Sequence, residues 1–222
     1  MRLARLLPSR PLQTLPSLEA YARWAATYSP QAHNALMQAE EAAMLDLMPP
    51  LAGKVVLDLA SGTGRYGLMA WQQRAKHVLA LDNSLAMLAL NPLQRRMLAT
   101  LESLPLAGAC ADVVVCGLAL GHLPDVRPAL AELGRVLRRG GYAVVSDFHP
   151  FLFLNGARRT FNTAAGVYAV EHHVHLYADY QAACSAANLD IEAVREPALA
   201  EADGLPVALV FRLRKRRRPV VV

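Results

Sequence analysis

Asp58, Gly62, Gly64 and Asp82 have the types and spacing to hold a nucleoside cofactor. In VVLDLASGTGRYG, residues 55–67, an apolar run reaches Asp58 and enters a turn carrying the two glycines. Apolar residues then return at helical spacing in Leu68, Met69 and Trp71, the order of a buried strand, a tight loop and a helix start. A side chain at the second turn position blocks a ligand from the backbone, whereas glycine opens the N–H groups to it. Asp82 closes the next apolar run, HVLALD, where its carboxylate can take a pair of ribose hydroxyls. Gly62, Gly64 and Gly67 also spell GxGxxG with Asp82 twenty residues after the first glycine, so a dinucleotide is the rival ligand. Asp58 weighs against it, because an acid there faces a pyrophosphate as a like charge. It suits instead a cationic group such as an amino-acid ammonium or a sulfonium.

The elements that must position these residues alternate. Apolar runs predict strands at 54–59, 77–81, 112–116 and 142–147, with a weaker one near 97–101; helices are expected to begin near 64, 84 and 127. Alternating strands and helices mean a parallel sheet covered on both faces. Before them, Tyr21, Trp24 and Tyr28 sit three to four apart, Pro30 interrupts, and helical spacing resumes until Pro49-Pro50. Residues 150–176 break the pattern with Pro150, Asn155, Gly156 and Gly166, and then give the strand-like VYAVEHHVHLY. A helix over about 178–188 and two closing strands, IEAVREP and PVALVFRLR, end the pattern as an antiparallel hairpin at the sheet edge. Such a hairpin is not expected in the second half of a dinucleotide-binding sheet.

Taken together, Asp58-Leu59-Ala60-Ser61-Gly62-Thr63-Gly64 resembles the acid-x-Gly-x-Gly-x-Gly loop of the class I S-adenosylmethionine (SAM)-dependent methyltransferases. LALDNSLAMLAL resembles their second motif. LESLPLAGACADVVVCGLALGHLPD is similar to the stretch around their fourth strand, and LAELGRVLRRGGYAVVSD to the helix, Gly-Gly turn and fifth strand. The resemblance covers residues 21–147 and is nearest to small-molecule enzymes of the ubiquinone/menaquinone and biotin-pathway type. It implies a doubly wound α/β fold, a mostly parallel seven-stranded sheet of order 3-2-1-4-5-7-6. A helical lid over 17–50 and a substrate-side insert over 150–176 complete one domain, 17–212, between a flexible lead (1–16) and a basic tail (213–222). It also implies SAM as cofactor. Asp58, Ala60, Ser61, Gly62 and Gly64 would hold it in the first loop, Asp82, Asn83 and Met87 in the second. Leu101, Glu102 and Leu118 would meet it from later turns. Ala60 stands where the family has glycine, which a φ < 0 position tolerates. Thr100 stands where an acid often meets the adenine, leaving that contact to backbone near Leu101 and Glu102.

The cofactor supplies an activated methyl group, so the protein must orient an acceptor and exclude water. A carboxylate acceptor needs no base; a phenol, alcohol or carbon acid does. His122, after the fourth strand, and His149, after the fifth, are the candidate catalytic residues. Asp147 reads as a loop anchor. Glu171-His172-His173-Val174-His175 on a strand would put Glu171, His173 and His175 on one face. That face can be a substrate wall, a metal site or a packed strand; no further ligand cluster favours metal, and none is assigned. Trp24 is expected to face inward, and Tyr28, ahead of His33 and Asn34, to be the lid residue meeting substrate. Oxygen, as carboxylate or hydroxyl, is the expected acceptor atom, with carbon and nitrogen open. A nicotinamide-dependent oxidoreductase and a non-catalytic SAM-binding module are the rival classes.

Composition narrows the partners. The net charge of +5 comes from RLRKRRR (Arg212 to Arg218), which holds six of the 23 basic residues and leaves 17 against 18 acidic ones. A near-neutral body is no polyanion binder, so nucleic acid is confined to that tail. No apolar run approaches the roughly 18 residues of a membrane span, and the Arg-bearing start lacks a clear apolar core or cleavage site. Cys110, Cys116 and Cys184 show no CxxC spacing, as expected in a reducing, cytoplasmic compartment.

Overall fold

Val56 and Asp58 face one side of the first core strand while Leu57 and Leu59 face the other, the two-residue period of a strand covered on both faces. The computed structural model describes residues 12–217. In chain order the strands are β1 (Thr14–Leu15), β2 (Val55–Leu59), β3 (His77–Asp82), β4 (Arg96–Leu98), β5 (Ala111–Cys116), β6 (Leu137–Phe148), β7 (Thr160–Thr163), β8 (Gly166–Val170), β9 (Leu189–Arg195) and β10 (Ala208–Lys215). The helices are α1 (Ser17–Trp24), α2 (Ala35–Leu47), α3 (Arg65–Gln72), α4 (Leu85–Leu90), α5 (Arg127–Val136), α6 (Pro150–Leu154) and α7 (Tyr177–Ala186).

Seven strands form one sheet in the order β4-β3-β2-β5-β6-β10-β9, which reads 3-2-1-4-5-7-6 when they are counted from β2. The pairs from β4 through β6 are parallel, and β10 runs antiparallel to both β6 and β9. Leu57, Leu81, Val114, Leu130, Leu133 and Tyr180 make the core on the face of α5 and α7; Met44, Leu47, Val56, Tyr66, Ala70 and Val113 make it on the face of α2 and α3.

A second, three-stranded sheet, β1-β8-β7, covers the carboxyl end of the large one. Thr14 and Leu15 pair in parallel with Ala169 and Val170, and Leu15 is buried with Ala20, Phe161 and Val170. The expected flexible lead is therefore corrected: residues 14–15 are a strand, while 1–11 lie outside the described residues. The boundary of the basic tail moves too, because β10 continues to Lys215. Arg212 and Arg214 reach Glu192, and Arg216 reaches Asp190 at 2.7 Å. Much of that charge is thus answered across the edge of the sheet; Arg218 lies outside the described residues.

The strand expected through Glu171–His175 is also corrected. Pairing stops at Val170, where tertiary contacts take over the backbone and side chains: the His173 N–H donates to the Gly121 carbonyl at 2.7 Å, and the His175 ring meets the Leu123 carbonyl at 2.8 Å. Among the described residues no helix is long and apolar enough to cross a membrane.

Candidate functional site

Asp58 is buried at the end of β2, where its Oδ2 accepts the Gly67 N–H at 2.8 Å. That bond needs α3 to pass very close to β2: a Cβ on Gly67 would come within 2.8 Å of the same oxygen. Burial outweighs this bond and pushes the Asp58 carboxyl up to about 7. Asp82, at the end of β3, accepts the Gly62 N–H at 2.7 Å on one oxygen and the Ser84 N–H at 2.8 Å on the other. Burial raises its pKa, and the backbone bonds oppose that rise. The Gly62 N–H is therefore used to orient Asp82, whose remaining lone pairs are the groups left for a ligand.

The loop between them is fixed from behind by Asn91, whose Nδ2 donates to Ser61 Oγ at 3.3 Å and to the Gly62 carbonyl at 3.2 Å. Gly64 adopts φ +91°, and an added Cβ would lie 2.6 Å from Asn91 Oδ1. Gly64 thus shapes the loop from outside the cavity wall. Ala60 overturns an expectation: its φ is +49°, in the left-handed region, where a methyl group crowds the backbone. Ala60→Gly is accordingly expected to stabilise the protein by about 1 kcal/mol. Urea unfolding midpoints read this; an unchanged or lower midpoint would mean that the lost methyl contacts outweigh the relieved strain.

A cavity of about 500 Å³ opens at the carboxyl ends of the strands. Its cofactor-side wall carries Asp58, Ala60, Ser61, Gly62, Asp82, Asn83, Met87, Leu101, Glu102 and Leu118. The opposite wall comes from the segment around α1 with Tyr21, Trp24 and Tyr28, from the turn after β5 with His122, and from the start of β7 with Arg159 just before it. Trp24 stacks between Tyr21 and Phe161, with ring centroids 5.7 and 5.1 Å away. The Tyr28 hydroxyl is pushed up to about 12, mainly by burial, so it stays protonated at neutral pH.

Residues 57–145 match the family described as Methyltransferase domain. That stretch runs from β2 to β6. Its sequence is 37% identical over 111 residues to a malonyl-[acyl-carrier protein] O-methyltransferase of Pectobacterium atrosepticum, covering 47% of this chain and 44% of that protein. It is 33% identical over 112 residues to a demethylmenaquinone methyltransferase of Renibacterium salmoninarum, covering 48% and 47%. The chain thus spans less than half the length of either relative. A crystal structure of an S-adenosylmethionine dependent methyltransferase from Mesorhizobium loti shares the fold with a TM-score of 0.68 at 24% identity, covering 79% of this chain and 97% of that one. S-adenosylmethionine is the cofactor that these likenesses imply, and the residues present fit it. The cavity falls in the range of about 300–1,000 Å³ usual for small-molecule sites; at one end of the loop stands Asp58, buried and with no ion-pair partner among the described residues, and at the other end Asp82.

The structure does not bring all the candidate residues together. His149 lies outside the cavity wall: its Nδ1 accepts the Phe151 N–H at the start of α6 and its Nε2 meets Glu196 at 3.1 Å, so it caps a helix instead of meeting an acceptor. His173 and His175 lie outside the wall as well, drawn to the Gly121 and Leu123 carbonyls. Among the described residues no three His, Cys, Asp or Glu side chains gather as metal ligands. Asp147 is an anchor, accepting the Tyr180 hydroxyl at 2.7 Å. His122 does stand at the cavity, but its Nδ1 bonds to the Glu171 carbonyl at 3.0 Å, which leaves Nε2 to accept from Arg159 Nη1 at 2.6 Å. Burial, then the guanidinium, push its pKa down to about 3. Arg159, Arg65 and Glu40 were missed by sequence reasoning, since a single Arg or Glu in a helix or an insert carries no motif.

Proposed function

We propose that this chain transfers a methyl group from S-adenosylmethionine to an oxygen of a small molecule, leaving S-adenosylhomocysteine. One observation carries the reading: a single cavity joins the Asp58–Asp82 loop region to the lid and insert residues around His122. The sulfonium, when bound, supplies an activated methyl group. Asp58 pairs with the ligand's ammonium, Asp82 takes the ribose hydroxyls, and Met87, Leu101 and Leu118 give an apolar bed. Tyr21, Trp24 and Tyr28 close over the reacting groups and keep water out. His122 positions Arg159 and Tyr21 and does not take a proton, because its basic nitrogen is already filled.

The O-methyltransferase relative supports oxygen as the acceptor. A small acceptor is favoured over nucleic acid by the near-neutral body and by the partners that Glu192 and Asp190 give the basic end. Three unpaired cysteines favour a reducing, cytoplasmic setting. Calorimetry with SAM, S-adenosylhomocysteine and NADH tests the proposal. Saturable binding of the first two and none of the third is expected; the reverse pattern would make the chain an oxidoreductase, and no binding of any would leave it without a cofactor.

A further inference from the structure

Arg159 is a cation only 9% exposed, and among the described residues no carboxylate lies within ion-pair distance of it. Its Nη1 donates to neutral groups alone: the Leu118 carbonyl and the Tyr21 hydroxyl, each at 2.9 Å, and His122 Nε2 at 2.6 Å. Nη2 is buried and has no hydrogen-bond partner. The guanidinium rests over the Phe148 ring, 4.6 Å from its centroid, on its other flank. Asp147 feels the charge from a distance, but Tyr180 and the Phe148 N–H already hold that carboxyl, and burial shifts it toward the neutral form. A buried charge without a counter-ion is costly. Here the charge stands in a cavity wall, in reach of a ligand.

The neighbours fit an anion and not a proton transfer. His122 presents a nitrogen that already accepts, and the Tyr21 hydroxyl, 3.1 Å from the same nitrogen, has one hydrogen that can turn to a ligand. An alcohol or phenol acceptor needs a base at this point, whereas a carboxylate arrives ionised.

We propose that Arg159 and Tyr21 form the anion-binding corner of the acceptor pocket and that the acceptor is therefore a carboxylate. The inference rests on the methyl-transfer reading above and names its substrate class. In the reaction a carboxylate oxygen lone pair forms the new O–CH3 bond as the S–CH3 bond of the sulfonium donor breaks. The bonding pair stays on sulfur, which becomes a neutral thioether. The acid becomes a neutral methyl ester, and no proton moves. Arg159 binds and orients the carboxylate, and it discriminates against acceptors that lack the charge.

The test uses the full chain saturated with S-adenosylhomocysteine and two size-matched probes, the malonyl thioester of N-acetylcysteamine and its carboxamide counterpart. Calorimetry on the wild type is expected to show the acid bound at least about 10-fold more tightly than the amide, the scale of one charge-assisted hydrogen bond. Arg159→Gln is expected to abolish that preference and Arg159→Lys to restore part of it, with the S-adenosylhomocysteine Kd within twofold of wild type in both. That unchanged Kd also reports that the variants fold. An equal affinity of wild type for acid and amide, or a preference that survives Arg159→Gln, overturns the proposal. A parallel loss of S-adenosylhomocysteine binding in both variants overturns it differently, by assigning Arg159 to the cofactor. A wild type that ignores S-adenosylhomocysteine removes the methyl-transfer reading itself, and this inference with it.

Discussion

Asp58→Asn is expected to weaken SAM binding by about 100-fold at pH 7.5 while leaving the loop in place. The Asn side-chain carbonyl can still accept the Gly67 N–H, which the carboxylate accepts at 2.8 Å, so the geometry between β2 and α3 survives. What is lost is the negative charge opposite the ligand's ammonium, and truncating one partner of a buried charged pair costs roughly 2–5 kcal/mol. The pH dependence has a defined sign. Burial holds the Asp58 carboxyl at about 7 in the free protein, well above its unfolded value, so folding favours the protonated acid. The stability this provides is complete below about pH 4 and is lost as the pH rises through about 7. Binding the cation requires the ionised form, so wild-type affinity should fall on the order of 20-fold from pH 7.5 to pH 5.5. Asp58→Asn should show no such slope, and without ligand it should melt higher than wild type above pH 7. Calorimetry across that range, with melting curves on the ligand-free proteins, reads all three effects; wild-type affinity that is flat with pH would detach Asp58 from the ammonium.

Why the cofactor side could be read from sequence, and the acceptor side only in part, follows from distance along the chain. Asp58, Gly62 and Asp82 belong to consecutive strand–turn–helix units, whose apolar periods fix where each carboxylate stands. Arg159 meets Tyr21, 138 positions away along the chain, and His122, 37 positions away, and no local period encodes such a meeting. Glu171–His175 shows the opposite failure. Its alternation has the period of a strand, yet the Gly121 and Leu123 carbonyls compete for its donors, so the chain leaves the sheet. His149 is a case of local chemistry weighed too lightly: a residue before Pro150 is held extended, and its ring then caps the short helix. Ala60 went wrong because side-chain type alone gave no sign of a left-handed backbone there. That conformation is set by the loop, where the Ser61 N–H returns to the Leu81 carbonyl at 2.9 Å.

The largest stability effect is expected at Glu40, which no motif marks. Its carboxylate is fully buried and collects three donors: the Tyr66 hydroxyl at 2.8 Å, the Ser146 hydroxyl at 2.5 Å and Arg65 Nη2 at 2.9 Å. Glu40 belongs to lid helix α2, Ser146 to β6, and Tyr66 and Arg65 to α3, directly after the glycine turn, so one group ties the lid to the sheet and to the cofactor loop. Glu40→Ala would strand two buried hydroxyls and leave the largely buried Arg65 guanidinium only its longer pair with Glu41, at 3.3 Å, at a cost of roughly 3–5 kcal/mol. Glu40→Gln keeps one acceptor oxygen and the volume, and should cost nearer 1–3 kcal/mol. Because Arg65 and the start of α2 line the cavity, the Ala variant should also bind S-adenosylhomocysteine more weakly. Hydrogen exchange separates the local effect from the global one: α2 amides should lose protection well before those of β2 and β5, which the sheet holds on both sides. A Glu40→Ala protein within 1 kcal/mol of wild type, with α2 still protected, would mean that apolar packing by Met44 and Leu47 alone docks the lid.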